Sequence, residues 1–143
     1  MTKKDWLHVY DLVGAAMEVF NELGRGLEEA IYQEALTMEL SLRNIPFERE
    51  KKLCLHYKGL PMQKYYMADL YSDGVLIELK SVWRLAPEHR AQLFNYMRIT
   101  DTALGLLINY GEESLRCERY LYLPEEDDFV LLTKENYLSY ISN

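Results

Sequence analysis

The sequence predicts an α/β fold, a central mixed sheet flanked by helices, and three observations carry that prediction. Two stretches with helical apolar spacing open the chain, and strand-like stretches bounded by turn residues follow them. One more helical stretch then separates the third strand from the fourth, which gives the order α, α, β, β, β, α, β, β, α.

The first helix is expected over residues 5–23, where Val9, Val13, Ala16, Met17 and Phe20 share a face. Gly24-Arg25-Gly26 breaks it. A second helix is expected over residues 27–43, closed by Asn44 and by Pro46 two residues on. Strands follow over residues 47–57, 63–71 and 75–82, the first two separated by Lys58-Gly59-Leu60-Pro61 and the last two by Ser72-Asp73-Gly74. Pro87 is a good first helical residue, and a helix is expected over residues 88–99. Residues 103–110 are nearly all apolar, as at a sheet centre, while residues 115–123 alternate. An acidic loop and a short helix near residues 134–141 are expected to end the chain.

The 143 residues, 1–143, fit one domain with a real core, and 49% hydrophobic with 27% charged residues is the composition of a globular protein. No apolar run reaches the roughly 18–20 residues of a membrane span, and residues 1–6 lack a signal peptide's apolar stretch, so a cytoplasmic location with no membrane partner is expected. Cys54 and Cys117 stand far apart and are expected to be buried free thiols. The three histidines show no metal-ligand spacing. A net charge of −7 argues against a nucleic-acid partner, but its distribution softens the objection. Residues 43–98 hold ten Lys/Arg against six Asp/Glu, a balance of +4 that leaves −11 on the flanks. A phosphate ligand is permitted and not demanded.

Chemistry concentrates in one hairpin. Asp73-Gly74 suits a two-residue loop, because both positions accept positive φ. With that loop, Ser72 faces Val75, Tyr71 faces Leu76, Leu70 faces Ile77, and Asp69 faces Glu78. The Cβ atoms of directly opposed residues stand about 4.5–5.5 Å apart, so two like charges would meet there. A bound cation is a natural reason for such a pair. Lys80 shares the face of Glu78, while Val75, Ile77 and Leu79 point to the other, apolar side. Mg²⁺ prefers a few carboxylate oxygens together with water and phosphate oxygens, and it makes a bound water more acidic. A lysine beside it can orient or deprotonate that water. The bland reading is a solvated salt-bridge face, since Glu-x-Lys is a weak string and Glu50-Lys51-Lys52 is a second copy.

Further segments carry a resemblance. Gly26-Leu27-Glu28-Glu29-Ala30-Ile31-Tyr32 matches the pattern G-x-x-E-x-x-Y, and it is joined by Ala68-Asp69-Leu70, Ile77-Glu78-Leu79-Lys80, residues 87–93 and residues 106–111. Together they resemble the GxxExxY protein family, a branch of the PD-(D/E)xK nuclease superfamily, over roughly residues 9–119. The resemblance implies a restriction-endonuclease-like core and a metal-dependent nuclease using Mg²⁺, with Mn²⁺ able to substitute. It implies that Asp69, Glu78 and Lys80 are catalytic, with Asp69 and Glu78 binding metal and Glu29 completing the shell. Gln92 and Tyr96 match the Q-x-x-x-Y helix motif used near the catalytic lysine and the substrate backbone. Ala68 stands where the superfamily name places a proline, at a variable position.

Plainer roles exist for the added residues. Glu29 lies in a first helical turn, where any acid is favoured by the helix dipole. Tyr32 suits packing or an orienting hydroxyl, Gln92 and Tyr96 suit a side-chain hydrogen bond on one helix face, and His89 suits a structural role or a phosphate contact. Tyr65 and Tyr66 could stack on bases. The expected partner is nucleic acid, DNA first, and small nucleases of this type often act as homodimers, although no interface is identified. The rival reading is a catalytically silent nuclease-fold module that binds nucleic acid or a protein.

Overall fold

Helical spacing of apolar residues explains how the first two helices meet the sheet. In the computed structural model, which describes residues 1–142, α1 (Lys3–Leu23) buries Trp6, Val9, Leu12, Ala16 and Val19 on one face. Its start is fixed by a capping box: the Thr2 hydroxyl accepts from Asp5 N–H at 3.1 Å and the Asp5 carboxylate accepts from Thr2 N–H at 2.8 Å. Gly24, at φ 73°, turns the chain out of the helix in a conformation that favours glycine. Next, α2 (Glu29–Leu42) buries Tyr32, Leu36 and Leu40.

The sheet has six strands in chain order: β1 (Glu48–Tyr57), β2 (Leu60–Ser72), β3 (Val75–Lys80), β4 (Leu104–Asn109), β5 (Arg116–Leu123) and β6 (Asp128–Leu132). Only β3 and β4 are parallel, because α3 (Pro87–Thr100) carries the chain between them; every other pair is antiparallel. The result is a mixed α/β sheet flanked by helices, as the residue pattern predicts. Helices α1 and α2 cover one face, meeting Val75, Ile77, Leu79, Leu106 and Ile108. Helix α3 covers the other, setting Leu93 and Met97 against Leu76 and Leu107. Gly105 permits that close approach, since a Cβ there would stand 2.5 Å from Met97 Sδ.

One irregularity positions everything that follows. The ladder between β2 and β3 holds Ser72 with Val75, Tyr71 with Leu76 and Leu70 with Ile77, in the predicted register, and no further. Beyond it β2 pairs only with β1, and β3 only with β4 as far as Lys80–Asn109. The sheet forks there, and Asp69 and Glu78 stand in the crotch.

Several boundaries differ from expectation. Residues 125–133 hold a turn and then β6, not an acidic loop alone: Asp127, at φ 47°, closes the turn onto Pro124, and Phe129 to Leu132 continue as a strand. Four consecutive acids masked a strand of five residues. The expected C-terminal helix is a 3-10 turn, Tyr137–Tyr140. Strand β2 starts at Leu60, because Lys58 and Gly59, both at positive φ, suffice for the turn. Cys117 is half-buried but Cys54 is exposed, since it lies on the part of the β1–β2 hairpin that reaches beyond the rest of the sheet; both are free thiols. No helix among the described residues is long and apolar enough to cross a membrane.

Candidate active site

At the fork, side chains replace the missing ladder bonds. Glu78 Oε1 accepts from Asp69 N–H at 3.0 Å, and Asp69 Oδ2 accepts from Leu79 N–H at 2.7 Å. Each carboxyl is thereby fixed by a backbone donor of the opposite strand. Glu78 is only 3% exposed. Burial, reinforced by the charge of Asp69, pushes the Glu78 carboxyl up to about 9, and burial also raises Asp69. The ionised pair is therefore strained in the absence of a compensating cation, and the fold favours holding a proton there.

Lys80 is two residues beyond Glu78, and its Nζ donates to Gln92 Oε1 at 2.8 Å. Gln92 Nε2 in turn donates to Tyr96 Oη at 3.0 Å, so one face of α3 holds the lysine by a two-step chain. Burial first, then the Glu78 charge, raises Tyr96, so its phenol remains a neutral hydrogen-bonding group.

Glu29 occupies the first turn of α2, exposed, and lines a cavity of about 260 Å³ together with Gln33, Glu50, Ala68, Asp69 and Leu79. It shares that cavity with Asp69 and forms no side-chain bond to the pair. Tyr32 and His89 lie outside the cluster. The Tyr32 hydroxyl donates to Gly24 O at 2.6 Å and accepts from Leu27 N–H at 3.1 Å, while its ring stacks on Tyr110 at 4.1 Å. It fixes the loop that delivers Glu29. His89 Nδ1 accepts from Ala86 N–H at 2.9 Å and so closes the start of α3.

Three neighbours escaped the sequence reading. Gln33, nearly buried, donates to Asp69 O at 3.1 Å and accepts from Arg49 Nε at 3.1 Å, bracing the backbone of Asp69. Glu50, at φ 54°, faces the cavity, and its charge adds to the rise of Asp69. Asn109, fully buried, accepts from Val82 N–H at 3.0 Å and donates to Val82 O at 2.9 Å, clamping the segment after Lys80 to β4. For Gln33 and Asn109 the only signal was a polar residue at an otherwise core-facing position; Glu50 left only a short Glu-x-Lys string.

The donor set suits a hard cation. Two carboxylates with no histidine or thiolate beside them match Mg²⁺ or Mn²⁺, which retain water, better than a softer metal. Among the described residues no three His, Cys, Asp or Glu side chains gather into a ready-made cage.

The family model of the PD-(D/E)XK nuclease superfamily matches residues 7–120, which span every element of the site. The chain belongs to the PD-(D/E)XK nuclease superfamily. Members of this superfamily generally use divalent metal ions and act on nucleic acids. Among solved structures, the crystal structure of SSO0001 is similar in fold, with a TM-score of 0.51 and 19% identity, covering 63% of this chain and 48% of that one. The chain thus spans about half the length of SSO0001. No curated protein matches.

Proposed function

We propose that this chain is a metal-dependent nuclease of the GxxExxY branch that hydrolyses DNA phosphodiester bonds. The observation that carries the reading is the Asp69–Glu78 pair at the fork, Glu78 buried and Asp69 half-buried, with Lys80 tethered beside it. Such a pair is costly without a cation, and a superfamily of metal-dependent nucleases supplies the reason for keeping it. Asp69 and Glu78 would hold Mg²⁺, or Mn²⁺ in its place, and Glu29 would complete the shell from the cavity wall. When bound, the ion supplies Lewis acidity toward a phosphate oxygen and an acidified water. Lys80 would position or activate the attacking water, and its ammonium would offset charge developing on the phosphate. Gln92 and Tyr96 keep the Lys80 ammonium in place, and Gln33 holds the strand of Asp69.

Purified protein is to be incubated with single- and double-stranded DNA and RNA, with Mg²⁺, Mn²⁺ or EDTA. The expected result is cleavage of DNA that requires the metal and is lost in Lys80→Ala and Asp69→Ala. No cleavage by the wild type, or equal cleavage by those variants, overturns the proposal in favour of a silent nuclease-fold module.

A further inference from the structure

Residues 51–67 contain four lysines and no Asp or Glu, in a chain whose net charge is −7. They form the part of the β1–β2 hairpin that continues beyond the fork, paired from Lys51–Ala68 out to Tyr57–Leu60. Because β2 and β3 are antiparallel, residues before Asp69 on β2 and residues after Glu78 on β3 lie toward the same end. The overhang therefore rises from the crotch at the same end as Lys80. At about 3.3 Å per residue, β2 alone reaches about 25–30 Å from Asp69.

Little of its chemistry serves the fold. Lys51 pairs with Glu48 at 2.7 Å, whereas Lys52, Lys58 and Lys64 are exposed and have no carboxylate partner among the described residues. Lys52 Nζ lies 4.3 Å from the Tyr65 ring centre and Lys58 Nζ 5.5 Å from that of Tyr57. Tyr57 is 65% exposed, and Tyr65 and Tyr66 are 42% exposed each. The Tyr66 ring lies 5.4 Å from Tyr96, the residue that ends the Lys80–Gln92 chain, so the overhang is continuous with the candidate site. A merely solvated face would mix both signs of charge. This hairpin instead sets cations beside aromatic planes, Lys52 against Tyr65 on the face opposite Tyr66 and Lys58 against Tyr57 near the tip, a pairing that suits phosphates and unstacked bases.

We propose that the β1–β2 overhang grips single-stranded nucleic acid and feeds it into the fork. This rests on the nuclease reading. Lys52, Lys58 and Lys64 take phosphates, while Tyr65 and Tyr57 offer faces to bases that a duplex would keep stacked.

The test is fluorescence anisotropy in EDTA, which separates binding from cleavage, with a labelled oligothymidylate and a duplex of equal length at several salt concentrations. The wild type should bind the single strand more tightly. The triple variant Lys52→Ala/Lys58→Ala/Lys64→Ala should bind about 10- to 100-fold more weakly, with its salt slope lowered by about 2. Tyr65→Ala should lose about 5- to 100-fold on the single strand. Lys134→Ala, on the far end of the chain, should change nothing, and the melting temperatures of all variants should match the wild type. Unchanged affinity and slope in the arm variants overturns the inference, as does a duplex preference. So does a loss of self-association in sedimentation without a loss of DNA binding, which would make the overhang a contact with a second copy. The two proposals fail separately. Metal-dependent cleavage with arm-independent binding sinks only the grip, and arm-dependent binding without cleavage sinks only the nuclease.

Discussion

Glu78 and Glu118 stand in one row of the sheet, each paired across the ladder with Leu107, and both lie beneath α3. Both are nearly buried, at 3% and 7% exposure. Their electrostatics are opposite. Arg90 of α3 donates to Glu118 from Nε at 2.7 Å and from a terminal nitrogen at 2.9 Å, and Tyr120 Oη adds a third bond at 2.7 Å. That fork of donors holds the Glu118 carboxyl below its ordinary value. Glu78 receives one backbone bond and the repulsion of Asp69, while the lysine beside it is engaged by Gln92. One helix thus neutralises one glutamate with an arginine and gives the other only a glutamine-held lysine. A satisfied carboxylate ties structure together; an unsatisfied one is available to a cation.

The largest expected effect breaks the contrast at its functional end. Glu78→Gln or Lys80→Ala should lower metal-dependent cleavage by about 10²–10⁴-fold, read from initial rates on labelled DNA. Glu78→Gln should at the same time raise the stability of the metal-free protein at pH 7 by about 1–3 kcal/mol, because an amide keeps the bond to Asp69 N–H without the cost of taking up a proton on folding. Denaturant unfolding measures it, and a less stable variant would deny that Glu78 is strained.

Next comes the structural end. Glu118→Ala should cost about 1–3 kcal/mol by the same measurement, since it leaves Arg90 and Tyr120 without their partner, and it should leave Mn²⁺ binding intact.

The two glutamates should also divide the pH profile. Glu78 has a folded value raised from 4.5 to about 9, so its contribution to stability is fully present below 4.5 and is lost as pH rises toward about 9. Glu118 has a lowered folded value, so its contribution is present above 4.5 and is lost as pH falls through the folded value. Melting temperatures of the metal-free protein should therefore decline toward alkaline pH, and Glu78→Gln should flatten that limb alone. The smallest effect is His89→Ala, which should cost about 0.5–1 kcal/mol through the lost cap on α3.

Much of this was legible in the sequence because it rests on short-range rules. The Asp73-Gly74 loop fixed the register from Ser72–Val75 to Leu70–Ile77, and the face shared by Glu78 and Lys80 follows from strand alternation. The helix spacing that joins Gln92 to Tyr96 gave the hydrogen bond between them. What escaped depends on tertiary approach. No local pattern says that the ladder stops before Asp69, that Gln33 of α2 reaches the Asp69 carbonyl, or that Arg90 finds Glu118 and not Glu78. Strand β6 was hidden because its acidic turn resembles a solvated loop until β5 supplies a neighbour.

The central claim is that the Asp69–Glu78 pair retains a proton that a divalent cation displaces. Isothermal titration of Mn²⁺ at pH 8, in two buffers of different ionisation enthalpy, tests it most directly. The account predicts saturable binding with release of about one proton per ion, abolished in Asp69→Ala and carried without proton release, and more weakly, by Glu78→Gln. Binding that releases no proton in the wild type, or that survives unchanged in Asp69→Ala, would contradict it.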